Sequence, residues 1–75
     1  MAGTDRDGEI LYPPMEAAEI RRLRRDSGLS QAGFARLLWA HKRTVQSWET
    51  GTMRPTGATL ALLTLVKRRG IQILT

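Results

Sequence analysis

Residues 30–51 read SQAGFARLLWAHKRTVQSWETG, and the fold turns on reading them as two short helices joined by a tight link. Ser30 is a good N-cap, set just behind the apolar Leu29. The helix that follows places Phe34 and Leu38 one turn apart with Ala35 beside them, and Leu37 adds a further apolar position. A small residue at 35 lets another helix come close. Gly33 costs about 1 kcal/mol relative to alanine inside a helix, so the position either has a structural reason or is a weakness. A second helix is expected over about Lys42 to Thr50, ended by Gly51. Val45 and Trp48 form its inner face, which leaves Lys42, Arg43, Gln46, Ser47 and Thr50 outside. Only Trp39, Ala40 and His41 separate Leu38 from Lys42, and so short a link makes the two helices cross steeply. Phe34, Leu38, Ala40, Val45 and Trp48 can then share one core.

Working outward, an amphipathic helix is expected from Met15 or Glu16 to Asp26. It carries Glu16 and Glu19 at its start and Arg21, Arg22, Arg24 and Arg25 in its second half, a polarity that matches the helix dipole. Ala17, Ile20 and Leu23 supply its apolar stripe, and Gly28 suits a left-handed terminator. Pro13 and Pro14 suit a helix entry. Residues 1–9 read as a disordered tail within a flexible segment, 1–14. Ile10, Leu11 and Tyr12 read either as a staple onto that first helix or as a short added strand, the staple being the simpler reading.

Downstream, Thr52 to Gly57 forms a loop broken by Pro55, and a last helix is expected from about Ala58 to Arg69, with Gly70 at its end. Leu60 and Leu63 are expected to face the other helices. Leu62, Leu65 or Val66 are left over for a second interface. Ile71 to Leu74 is a short β-favouring piece that can pair as strands across a two-fold axis, pack as a helical turn, or cover Leu62 and Leu65. The expected architecture is all-α, with four helices, or five, in one unit spanning residues 15–75.

The 75 residues include twelve Lys and Arg against seven acids, for a net charge of +5. The split is uneven: residues 1–14 carry −2, while residues 15–75 set eleven bases against Glu16, Glu19, Asp26 and Glu49, for +7. Such a surplus attracts polyanions. With no cysteine and one histidine, neither a disulfide framework nor a zinc site is expected. No nucleophile–base pair or glycine-rich phosphate loop is present, so an enzyme and a cofactor are not expected. No apolar run approaches a membrane span and no signal peptide is read, which makes a cytoplasmic protein without a membrane partner the expectation.

The segments Leu29-Ser30-Gln31, Phe34-Ala35 and Thr44-Val45-Gln46-Ser47-Trp48-Glu49-Thr50-Gly51 together resemble the Cro/cI (Xre) family of helix-turn-helix DNA-binding repressors. The further run Arg54-Pro55-Thr56-Gly57 with Leu62-Leu63 is similar to the HigA-like antitoxin branch. Small phage regulators, including anti-CRISPR-associated repressors, carry much the same pattern. The resemblance covers roughly residues 15–69 and implies a compact lambda-repressor-like domain from a bacterium or phage, associated with the nucleoid.

The resemblance also implies roles. Lys42, Arg43, Ser47 and Gln46 would contact bases, and Gln31, Thr44, Thr50 and Arg54 would contact phosphates. Gln31 would in addition brace the recognition helix. Arg24 and Glu49 would form a salt bridge joining the first helix to the third. His41 stands where the family usually has a Ser or Thr N-cap and is either a replacement cap or a DNA contact. Trp39 stands where the family usually has glycine, so it is either strained at positive φ and held by packing, or in another kind of turn. The implied function is a homodimeric, sequence-specific transcriptional repressor of its own gene on a palindromic double-stranded operator. Its alternative is an antitoxin that neutralises a toxin protein and represses its own operon. Leu62, Leu65, Ile71, Ile73 and Leu74 are the candidate dimer contacts.

Overall fold

The first long helix, α1 (Ala17–Asp26), forms because Met15 and Ile20 close over its start. They occupy the positions just before the N-cap Glu16 and four residues into the helix, and both are buried in the core, the arrangement of a hydrophobic staple. The structure, a computed structural model, describes Gly3, Thr4 and residues 10–74. After α1 come α2 (Gln31–Leu37), α3 (Lys42–Thr50) and α4 (Gly57–Arg69), and a 3-10 turn over Ile71–Leu74. Ahead of α1, β1 (Gly3–Thr4) pairs antiparallel with β2 (Ile10–Leu11), with Gly3 opposite Leu11 and Thr4 opposite Ile10. The architecture is all-α, with that two-residue pairing as a minor addition.

Two expectations about the ends are corrected. The staple onto α1 is made by Met15, while Ile10 and Leu11 form strand backbone; Pro13 and Pro14 hold the intervening chain outside any helix. The tail expected over residues 1–9 lies outside the described residues, Gly3 and Thr4 apart. At the other end, the β-favouring Ile71 to Leu74 is a 3-10 turn, the helical-turn option of the three. Residues three apart eclipse in such a turn, and Ile71 and Leu74 both pack against the core. Burial holds them there, which outweighs a local strand preference that has no neighbouring strand to satisfy it.

The core gathers Ile20 from α1, Phe34 and Ala35 from α2, Val45 and Trp48 from α3, and Leu63 from α4, with Leu38 at the end of α2. Phe34, Ile20, Leu63, Val45 and Val66 are essentially without solvent contact, and each such side chain contributes about 1.5–3 kcal/mol by leaving water. Val66 is therefore not a leftover of α4. Leu65, at 45% exposure, is the uncovered one, and Leu62 packs partly against the core.

Helices α1 and α2 end in the same hydrogen-bonded turn with different residues at its left-handed position. After α1, Gly28 (φ 72°) donates to the Arg25 carbonyl at 2.9 Å and Leu29 to the Arg24 carbonyl at 3.4 Å. After α2, Trp39 (φ 57°) donates to the Arg36 carbonyl at 3.3 Å and Ala40 to the Ala35 carbonyl at 2.9 Å. Both are Schellman turns, in which the residue after the C-cap must take positive φ. Glycine does so freely; a tryptophan is strained by about 1–2 kcal/mol. Of the two options for Trp39, the structure selects positive φ without packing support, since the side chain is 95% exposed. Ala40 dictates this: it must turn inward to reach the core.

Gly33 is the third residue of α2. A Cβ there would lie 3.3 Å from the Ser30 hydroxyl oxygen, which accepts from the Gly33 amide at 3.0 Å and caps α2. Thr56, the N-cap of α4, makes no side-chain cap bond. Ser30→Ala is therefore expected to cost about 1 kcal/mol in urea unfolding and Thr56→Ala much less, with equal losses arguing against the assigned cap.

Candidate nucleic-acid interface

Helix α3 is nine residues long, too short to persist alone in water, so its position is set by what grips it. On its inner side Val45 and Trp48 enter the core. At its carboxyl end the grip is polar and centres on Glu49, which is only 4% exposed. The Arg24 guanidinium, on α1, donates to both carboxylate oxygens of Glu49, Nε at 2.6 Å and Nη2 at 3.1 Å. Its remaining nitrogen donates to the Leu29 carbonyl at 2.9 Å. Gln31, at the start of α2, donates to Glu49 at 3.3 Å and accepts from the Gln46 amide at 3.4 Å. Arg21, one turn before Arg24, donates to the Glu49 main-chain carbonyl. The last turn of α3 has no basic residue of its own, so Arg21 supplies the positive charge that its carbonyl end favours.

The Arg24–Glu49 pair and the Gln31 brace are thus present as implied. The part played by Arg21 was missed: in sequence it counted only as one of the bases that match the dipole of α1, although its spacing of three from Arg24 places both on one face of that helix. The Leu29 carbonyl as an acceptor has no signal in the sequence.

Burial alone would push the Glu49 carboxyl up. Hydrogen bonds from Arg24 and Gln31, with the charges of Arg24 and Arg21, outweigh it and hold the carboxyl below its ordinary value. The same hydrogen bond holds the Arg24 guanidinium above its ordinary value against the effect of burial.

The outer face of α3 carries the remaining candidates. Lys42, Arg43, Gln46 and Thr50 are exposed, and Thr44 and Ser47 are half-buried. The Ser47 hydroxyl donates to the Arg43 carbonyl at 3.1 Å, and the Thr50 hydroxyl lies 3.3 Å from the Ser47 carbonyl and 3.0 Å from the Thr52 hydroxyl. His41 is the N-cap by backbone geometry, but its side chain makes no cap bond and is exposed. Of its two readings, the replacement cap is removed. No acidic residue sits in the first turn of α3, so that end presents Lys42, Arg43 and the positive end of the helix dipole together. Arg54 stands apart from the helix, 60% exposed and 3.4 Å from Glu16.

The Helix-turn-helix family matches residues 20–66, which spans α1 to most of α4. The chain belongs to that family. Its motif is of the Xre (Cro/cI) kind, and its similarity extends to HigA antitoxins: it is 42% identical over 61 residues to Antitoxin HigA-2 of Vibrio cholerae serotype O1. The match takes in 81% of this chain, and this chain spans 56% of the length of that relative. The helix-turn-helix motif makes this a DNA-binding domain of the regulator type. Among the described residues no helix is long and apolar enough to cross a membrane, and no group of His, Asp and Glu is placed to hold a metal ion.

A depressed carboxyl contributes stability that is complete above its unfolded value of about 4.3 and is lost as pH falls through the lower folded value. The melting temperature of the wild type is therefore expected to drop more steeply below about pH 4.3 than that of Glu49→Gln. At pH 7 Glu49→Gln is expected to be about 2–3 kcal/mol less stable, because Arg24 keeps its place without a counter-charge. Parallel pH profiles for the two proteins would show that Glu49 carries no such linkage.

Proposed function

We propose that this chain is a sequence-specific, homodimeric transcriptional repressor acting on its own promoter, in which α3 of each copy enters a major groove. The observation that carries this reading is the contrast between the two sides of α3. Its inner side is clamped by Arg24, Gln31 and Glu49, while Lys42 and Arg43 are exposed and form no ion pair among the described residues, with the exposed Gln46 and the half-buried Ser47 beside them. Lysine and arginine donate to guanine, and glutamine pairs with adenine, in the major groove. Gln31, Thr44, Thr50, Arg54 and His41 then meet the flanking backbone. Two such helices on a two-fold axis read half-sites about one helical turn apart.

Arg43→Ala is expected to lower the affinity ratio between a selected operator and a scrambled duplex by about tenfold, the scale of one base contact. Arg54→Ala is expected to weaken both duplexes equally and to reduce the salt slope by about one unit. Fluorescence anisotropy at fixed salt separates the two, and an unchanged ratio for Arg43→Ala removes it from the base-reading set.

The second copy is assigned to the face around Leu65 and Ile73, 45% and 38% exposed. Leu62, Ile71 and Leu74 of the candidate set are partly buried against the core. Because Leu65 contributes little to the monomer's own core, Leu65→Glu is expected to leave the melting curve nearly unchanged and to shift sedimentation from dimer to monomer. A dimer of unchanged affinity places the two-fold elsewhere.

A second reading has its own support in the identity to Antitoxin HigA-2: an antitoxin that binds a toxin protein and represses its operon. The strand segment Ile10-Leu11 and Tyr12 are its candidate toxin contacts. Co-purification of the product of a neighbouring gene favours it, and a solitary dimer bound to its own promoter favours the repressor. Neither reading includes a catalytic step or a cofactor, and both place the protein in the cytoplasm.

A further inference from the structure

Trp39 is the largest apolar side chain on the described surface, 95% exposed, and it sits where the backbone favours glycine. Strain of this kind persists when something in the surroundings returns it, and it gathers at binding sites. The turn holds the backbone there, through the bonds to the Arg36 and Ala35 carbonyls and the packing of Ala40 against the core, but nothing packs on the ring itself. Its surroundings are specific. Trp39 lies in the link immediately before α3, two residues ahead of the N-cap His41, and the flanking Arg36, His41, Lys42 and Arg43 are all exposed. Trp39 is three peptide steps from Lys42, the first residue of α3, which holds the two Cα atoms within about 11 Å.

We propose that Trp39 is a DNA contact, lying against the sugar–phosphate backbone at the edge of the groove that α3 enters. This rests on the DNA-binding reading above. The indole face packs against deoxyribose, and its N–H, a donor only, points to a phosphate oxygen. Charge selects DNA over a protein pocket. A pocket that swallowed the ring would bring its rim over Arg36, Lys42 and Arg43 and strip water from three cations. The phosphate backbone pairs with those cations as it covers the ring. Trp39 then works differently from its neighbours: it removes no counterion and reads no base edge, but fixes where the start of α3 stands on the duplex. It is a positioning contact that binds all duplexes alike.

The two tryptophans make this measurable, since Trp48 is 4% exposed and Trp39 is nearly bare. Acrylamide quenches mainly Trp39 in the free protein. On saturation with a duplex that the protein itself selects from a random pool, quenching is expected to fall to the level of Trp39→Phe, in which only Trp48 emits. Trp39→Gly is expected to weaken binding of the selected and a scrambled duplex equally, by about tenfold, with an unchanged salt slope. Its melting temperature should equal or exceed that of the wild type, since glycine suits the turn, so weak binding is not a loss of fold. Undiminished quenching in the saturated complex, or wild-type affinity in Trp39→Gly, overturns the proposal while leaving the DNA-binding reading standing. Failure of the wild type to bind any duplex at low salt overturns both.

Discussion

The carboxylate of Glu49 is the point on which the domain's geometry depends. One buried charge receives Arg24 from α1 and Gln31 from α2, and its own main-chain carbonyl receives Arg21, so three helices meet at a single residue. A carboxylate left alone at 4% exposure would be costly to keep ionised. The bidentate guanidinium makes it tolerable, and the planar fork of arginine is what a lysine in its place could not reproduce. The same guanidinium also binds the Leu29 carbonyl, which ties down the connection between α1 and α2. The pair is thus less a contribution to net stability than a device that admits one relative placement of the three helices.

That placement decides what α3 can do. Nine residues gain too little from their own hydrogen bonds to stay helical unaided, so the apolar contacts of Val45 and Trp48 and the polar grip at Glu49 must hold them. With both the inner face and the carboxyl end occupied, the side chains of Lys42 and Arg43 at the amino end are left without a share in that grip. Lys42 and Arg43 can therefore sit beside the positive end of the helix dipole, an arrangement that is unfavourable for the isolated domain and favourable against a phosphate backbone. The acids that balance the domain lie on α1, where Glu19 pairs with Lys67 and Glu16 with Arg54. Lys42 and Arg43 of α3 are left without an ion pair among the described residues, as are Arg22, Arg25, Arg36, Arg68 and Arg69.

Much of this was legible in the sequence because local signals and burial agreed. The periodicity of Val45 and Trp48 with Gly51 after them placed α3 at its observed bounds, and Gly28 and Ser30 marked the turn and cap where they lie. Where local preference and burial disagreed, sequence reading left alternatives open. Ile71 to Leu74 favours a strand locally, so strand pairing and a helical turn both stood, and packing takes Ile71 and Leu74 into a tight turn. Between Leu60 and Val66 every position of α4 but Thr64 is apolar, so periodicity could not separate Val66, 1% exposed, from Leu65, 45% exposed. The Glu49 network was legible only through the family resemblance. The grip of Arg21 was not read, because an arginine that binds a main-chain carbonyl of another helix looks the same in sequence as one in solvent.

The link between α2 and α3 shows how these constraints interact. Its conformation is not chosen by Trp39; it is imposed from both sides, by Ala35, whose carbonyl must be satisfied, and by Ala40, which must return to the core. The same turn after α1 is built with glycine and without strain. A chain that uses the relaxed form in one place and the strained form in the other has not met a steric requirement for tryptophan in the second. Stability argues against an indole there on two counts, the left-handed backbone and the uncovered ring. The residue is therefore explained by neither folding nor packing. What remains is its position, at the mouth of the one helix whose outer face is kept free.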